Sequence, residues 1–168
     1  MTEILTNNNK EMKKLLFIGF IAATFAMTSC DKVKDAVEDF QKDQAPSYVE
    51  SKDGLTITVS YAKDGIGSET EAKFTVDKSG EEHLLSDTIC TSFVTKASYA
   101  VESVAKQVYE ETKSESNEKV KITYDGKKTI TSEFLEYTDM EKPFVVWALE
   151  TIYETYQYMY SGKQPGIK

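Results

Sequence analysis

The sequence has no arginine, one histidine and two cysteines, and all 20 of its basic residues are lysines. Without guanidinium groups, the chain lacks the side chain that recognises phosphate or carboxylate through two parallel hydrogen bonds. Acidic residues outnumber basic ones, and the net charge of −8 repels nucleic acid. We therefore predict that the chain does not bind nucleic acid. Separately, the single histidine excludes catalytic pairs of histidines and histidine-rich metal sites.

Long apolar runs are also scarce. The longest, from Leu15 to Met27, is well short of the roughly 20 residues that span a membrane. Lys13 and Lys14 precede it, and the small residues Thr28 and Ser29 follow it. A charged start, a short apolar centre and a small-residue end are typical of a secretory signal. The stretch therefore predicts export and not a membrane-spanning helix.

The end of this stretch, Met27-Thr28-Ser29-Cys30, resembles the lipobox of bacterial lipoproteins, and the whole signal is similar to those of Bacteroidota. The resemblance implies cleavage before Cys30 and attachment of acyl chains such as palmitate to that cysteine. Several acyl chains hold a protein stably on a membrane, so the implied partner is the outer membrane of the cell envelope. In that phylum an acidic run after the cysteine can direct a lipoprotein to the cell surface. Here lysines interrupt the run that begins at Asp31, so we expect the periplasmic face.

The predicted processing divides the chain into four parts. They are a signal peptide at 1–29, a lipidated tether at 30–46, one α+β domain at 47–162 and a tail at 163–168. We interpret residues 1–11 as the product of a misassigned start codon, because the signal begins naturally at Met12. Acylation would consume Cys30, so Cys90 would have no disulfide partner.

Hydrophobic periodicity predicts four strands and two helices. The strands are expected at 55–61, 72–76, 120–124 and 129–134. Spacings of three and four residues predict helices from about 80 to 113 and from about 140 to 160. Whether the first of these helices is broken near Ser86 is left open. We predict an α+β fold in two layers, with the order β-β-α-β-β-α. Its four-stranded antiparallel sheet carries both amphipathic helices on one face.

The details of the element ends follow from local chemistry. Ser79 and Glu82 match a capping box that would begin the first helix, and Asp139 is the expected N-cap of the second. Between the last two strands, a loop of three residues pairs Ile130 with Ile122 and keeps both in the core.

The sequence offers few groups for chemistry. Glu81, Glu82 and His83 are possible metal ligands, but adjacent helical residues point in different directions, so we favour a solvated helix start. Cys90 and His83 are a possible nucleophile and base. We favour a buried structural thiol for Cys90, because free cysteine commonly packs as a small apolar residue. No catalytic residue, metal site or cofactor is predicted.

The last helix is unusually rich in aromatic residues. Only some of them can face a sheet, and Trp147 and Tyr158 share a direction well away from the apolar stripe. We predict a binding face formed by Phe144, Trp147, Tyr153 and Tyr158, with an envelope protein or a glycan as its partner. The alternative is that these rings cover the edge of the core with their polar tips in water.

These features favour a lipid-anchored, non-catalytic binding or scaffolding module of the cell envelope. One alternative is a hydrolase or small-ligand-binding lipoprotein with a pocket between the sheet and the helices. Another is an inhibitor or immunity-type protein, whose acidic surface would cover a basic partner.

Overall fold

The structure is a computed structural model that describes residues 42–80 and 83–162. The predicted signal, Cys30, most of the tether and the predicted tail lie outside the described residues. The described part contains six strands, two α-helices and two short 3-10 helices at Lys113–Glu115 and Leu135–Tyr137. The strands and α-helices are numbered in chain order. They are β1 (Gln44–Glu50), β2 (Thr56–Lys63), β3 (Ile66–Val76), β4 (Thr88–Tyr99), α1 (Glu102–Thr112), β5 (Val120–Tyr124), β6 (Thr129–Phe134) and α2 (Lys142–Ser161).

All six strands form one sheet in the order β1-β2-β3-β4-β6-β5, and every neighbouring pair is antiparallel. The predicted α+β class, the antiparallel sheet and the two helices are confirmed. The predicted number of strands is wrong, because the sheet has six and not four. The element order is accordingly β-β-β-β-α-β-β-α.

One face of the sheet carries the core. Ile57, Val59 and Tyr61 of β2 are buried on this face, and the threonines and serine between them are partly exposed on the other. Helix α2 packs over β1 to β4, and α1 packs over β4 to β6. By register, Ile130 beneath α1 lies on the same face as the β2 residues beneath α2. Antiparallel sheets commonly have one packed face and one solvated face.

Strand β1 was not predicted from the sequence. It begins at Gln44, within the stretch predicted as tether, and pairs along one edge of the sheet with β2. Its residues are mostly polar or exposed and show no clean alternation. Pro46 sits where the pairing with β2 is irregular, which suits an edge strand because proline has no N–H to donate.

Strand β4 replaces the first half of the helix predicted over residues 80–113. The residues described before it, 83–87, are not helical, and α1 begins only at Glu102. A bulge at Thr91 explains the error. Lys73 pairs with Ser92 while Phe74 pairs with Cys90, so one extra residue lies in β4. Cys90 and Phe93 both point into the core although they are three apart, and this spacing imitates a helix.

The hairpin of β5 and β6 has the predicted faces but a different register. Ile130 pairs with Tyr124, and Ile122 pairs with Ser132. The shift of two residues keeps both isoleucines buried on one face. Asp125 stabilises the longer loop, because its Oδ1 accepts hydrogen bonds from the backbone N–H groups of Lys127 and Thr129, at 2.8 and 3.0 Å.

Helix α2 follows the prediction closely, since it runs from Lys142 to Ser161 with Pro143 in its first turn. Its N-cap is Glu141 and not Asp139, because Asp139 has a positive φ of 68° and lies in the turn before the helix. Within residues 42–80 and 83–162, no helix is long and apolar enough to cross a membrane.

Candidate functional site

A cavity of about 60 Å³ lies between the sheet and the two helices and is partly open to solvent. Strands β3, β4 and β6 form its floor, and residues from α1 and α2 form its walls. About 10–15 Å³ is enough to admit one water molecule, so this space has room for several. Its lining is mostly apolar, with hydroxyl groups set among aliphatic and aromatic side chains. This is the composition of a ligand site.

Four of the lining hydroxyls form a hydrogen-bonded chain. The Tyr156 hydroxyl lies 2.7 Å from Ser68 Oγ and 3.2 Å from Thr70 Oγ1. Thr70 Oγ1 in turn lies 2.8 Å from Thr95 Oγ1. Alternation along the strands directs these small polar residues inward, into the face that is otherwise apolar. Each hydroxyl has one proton, so these three bonds leave one O–H of the chain for a further acceptor.

Two further hydroxyls line the cavity without a hydrogen-bond partner among the described residues. They belong to Tyr99, which is 1% exposed, and Ser132, which is 4% exposed. Among the described side chains, every fully buried nitrogen or oxygen atom has a partner. The hydroxyls of Tyr99 and Ser132 therefore keep some access to open space, which the cavity supplies.

Burial disfavours ionisation of the tyrosines that line the cavity. Burial raises the pKa of Tyr61 and Tyr99 far above the ordinary value for phenol, because a buried phenolate would lose its hydration. Burial also raises the pKa of Tyr156, although its hydrogen bonds with Ser68 and Thr70 act in the opposite direction. Within residues 42–80 and 83–162, no histidine, cysteine, lysine or carboxylate lines the cavity. The serines and threonines there accordingly have no general base beside them.

The structure places the four aromatic residues of the predicted binding face in two different settings. Phe144 and Trp147, one turn apart at the start of α2, are 49% and 50% exposed. Tyr153 is half-buried and meets Tyr48 of β1 edge to face, with 6.0 Å between ring centroids. Tyr158 is half-buried near the end of the helix. Only the first pair presents a large exposed apolar surface.

His83 lies between two carboxylates. Its Nε2 is 2.6 Å from Asp77 Oδ2, and its Nδ1 is 3.9 Å from Glu141 Oε1. The hydrogen bond with Asp77 raises the pKa of His83, and the same bond lowers the pKa of Asp77 to about 2. Glu81 and Glu82 lie outside the described residues. Among the residues that the structure describes, no three histidine, cysteine or acidic groups are placed to hold a metal ion.

Cys90 is fully buried in the core and its Sγ donates to the carbonyl of Ser92 at 3.3 Å. Burial raises the pKa of this thiol to about 11, so it is protonated at neutral pH. His83 is bonded to Asp77. The structure therefore gives Cys90 the properties of a structural residue.

Sequence reasoning offered a pocket between the sheet and the helices only as an alternative and named none of its lining residues, although a signal for them existed. Ser68, Thr70, Thr95 and Ser132 are polar residues at inward positions of their strands, where apolar residues are the rule. Their hydroxyls and the absence of ionisable groups other than tyrosine make the cavity suited to binding and not to acid–base chemistry. Comparison with protein-family models, with curated proteins and with solved structures gives no match to the chain.

Proposed function

We propose that this protein is a lipid-anchored, non-catalytic binding module of the cell envelope that holds a small ligand in the cavity between its sheet and its helices. The observation that carries the proposal is the hydroxyl-lined cavity itself. Protein cores are close-packed with side chains and leave few spaces larger than a water molecule. A space of this size, lined by hydroxyl groups, is therefore unusual for a purely structural core.

The proposed location rests on residues 12–30. A lipid on Cys30 would hold the domain at the membrane through a short, charged tether, and the outer membrane facing the periplasm is the location that the signal favours. A ligand at this site would be encountered at the membrane surface.

Filling the cavity tests the proposal. Ala97 lines the cavity from β4, so Ala97→Leu should occupy part of it. The matched control is Val94→Leu, on the opposite face of the same strand. Native mass spectrometry of the full chain, purified from envelope membranes, should find a small molecule bound to wild type and to Val94→Leu. The ligand should be lost from Ala97→Leu. An unliganded wild-type protein, or equal occupancy in all three, would contradict the proposal.

A second candidate is contact with an envelope protein or a glycan through the exposed start of α2. The observation that favours it is the pair Phe144 and Trp147, each about half exposed. Affinity capture from envelope extract should then lose specific partners in a Phe144→Ala/Trp147→Ala variant. The control is Val49→Ala, an exposed apolar residue on the edge strand. Identical partner sets for all three proteins would remove this candidate.

A further inference from the structure

We infer that the ligand of the cavity is a neutral amphiphile, with an apolar body and an uncharged oxygen-bearing group such as a hydroxyl or an amide. This inference rests on the proposed function, because it names the chemical class that the same cavity would accept. It follows from three properties of the lining: its apolar surface, its unused hydroxyl groups and its lack of charge.

The hydroxyls provide the polar recognition. Tyr99 and Ser132 have no hydrogen-bond partner among the described residues, and the chain of Ser68, Tyr156, Thr70 and Thr95 leaves one proton unused. These groups donate to a ligand oxygen and also accept from a ligand hydroxyl or N–H, because a hydroxyl does both. Two other lining residues are already committed. Thr112 and Thr155 each donate their proton to a carbonyl of their own helix.

The charge of the ligand follows from the absence of charged side chains in the described lining of the cavity. Among the residues that the structure describes, no lysine or histidine lines the cavity to neutralise a carboxylate or phosphate, and no carboxylate lines it to receive an amine. An unpaired charge that is taken out of water into such a site loses hydration that neutral hydroxyls do not replace. The lining has the same effect on its own residues, because burial raises the pKa of Tyr61 and Tyr99 and so disfavours their charged form. The arrangement therefore selects against both signs of charge.

Four six-carbon probes separate charge from shape: 1-hexanol, hexanamide, hexanoate and hexylammonium. Calorimetric titration of the full chain at neutral pH should find that the two neutral probes bind. The two charged probes should bind about tenfold more weakly or worse, because hexanoate is nearly isosteric with hexanamide but carries an unpaired charge. Equal or tighter binding of hexanoate or hexylammonium would overturn the inference and leave the binding function intact. Failure of all four probes to bind would contradict the binding function as well.

Two variants test the hydroxyls. Tyr99→Phe and Ser132→Ala should each weaken 1-hexanol binding about threefold to tenfold, as the loss of one hydrogen bond does. Their controls are Tyr109→Phe, whose ring stacks on Tyr124 away from the cavity, and Ser98→Ala on the opposite face of β4. The melting temperature should not fall in Tyr99→Phe or Ser132→Ala, because neither hydroxyl has a protein partner to lose. A clear fall in either, or equal binding in variants and controls, would overturn the role of these hydroxyls.

Discussion

His83 connects two segments that are distant in the sequence. It bonds to Asp77 at the end of β3 and lies near Glu141, the N-cap of α2. The two oxygens of Glu141 also accept hydrogen bonds from the backbone N–H groups of Leu84 and Leu85, at 2.7 and 3.0 Å. One carboxylate thus holds the loop before β4 against the start of the helix. When His83 is protonated, its positive charge also attracts the carboxylates of Asp77 and Glu141.

The pH dependence of this attachment follows from the two pKa shifts. The pKa of His83 is raised above 6.5, so its contribution to stability is complete below pH 6.5 and disappears as the pH rises through the raised value. The pKa of Asp77 is lowered from 3.8 to about 2, so its contribution is present above pH 3.8 and disappears as the pH falls toward 2. The ion pair is therefore complete between these limits.

We predict that the imidazole of His83 titrates above pH 6.5 and that Asp77→Asn moves its pKa back toward the ordinary value. The physical reason is the loss of the carboxylate that stabilises the imidazolium. NMR titration measures this directly, since His83 is the only histidine in the chain. The control is Glu154→Gln, which removes an exposed carboxylate elsewhere on α2. An unchanged His83 pKa in Asp77→Asn would show that the pairing does not exist in solution.

Helix α2 combines a buried and an exposed face within a few residues. Leu149 is completely buried against the sheet, whereas Trp147, two positions earlier, is half exposed. A spacing of two residues turns about 200° around a helix, so these side chains point in nearly opposite directions.

This geometry predicts a large contrast between two alanine variants. Leu149→Ala should lower the free energy of unfolding by about 2–5 kcal/mol, because it removes apolar contacts and leaves a hole in the core. Trp147→Ala should lower it by about 1 kcal/mol or less, as surface substitutions do. Urea denaturation followed by circular dichroism measures both. A similar large loss in Trp147→Ala would indicate that its ring covers the core and is not free for a partner.

The elements that could be predicted from sequence are those whose periodicity is undisturbed. β2, β5, β6 and α2 have regular alternation or helical spacing, and their predicted positions agree with the structure within a few residues. β4 could not be predicted from spacing, because the bulge at Thr91 shifts its inward residues from a period of two to a step of three. Its threonine and other β-branched residues are typical of a strand, but the spacing of its apolar residues is typical of a helix.

The candidate site was harder to predict from the sequence than the fold. Its hydroxyls come from β3, β4, β6 and α2, and only the strand order brings them together. Because β4 was expected to be a helix, Thr95 had no predicted position beside Thr70. The two residues meet through the β3–β4 register, in which they are direct partners. A site that is made by non-local strand pairing can be predicted only after the strand order has been predicted correctly.

For the molecule as a whole, the proposed anchoring depends on a single residue, Cys30. We predict that Cys30→Ser releases the protein from membranes, because it removes the proposed lipid attachment site and leaves the described domain unchanged. Fractionation of cells followed by immunoblotting measures this, with Cys90→Ser as the control for loss of a cysteine. Because the Cys90 thiol is buried, the control should weaken folding but stay with the membrane. Retention of Cys30→Ser in the membrane fraction would rule out this form of anchoring.

The two ends of the described domain meet at one corner. The side chain of Asp43 accepts a hydrogen bond from the backbone N–H of Asp64, and the neighbouring Lys63 donates to the carbonyl of Tyr160 at 2.6 Å. The chain therefore leaves the domain where it entered, at the turn between β2 and β3. Proteins whose ends are adjacent commonly tolerate circular permutation.

A permuted protein, with residue 162 joined to residue 43 by a short linker and new ends opened at Gly80, should keep the same six-stranded sheet. Gly80 is exposed, and a side chain built on it would meet no atom within 4 Å. Moving the proposed acylated segment to the new amino terminus would then place the membrane attachment beside the loop before β4. The β2–β3 corner would no longer carry it.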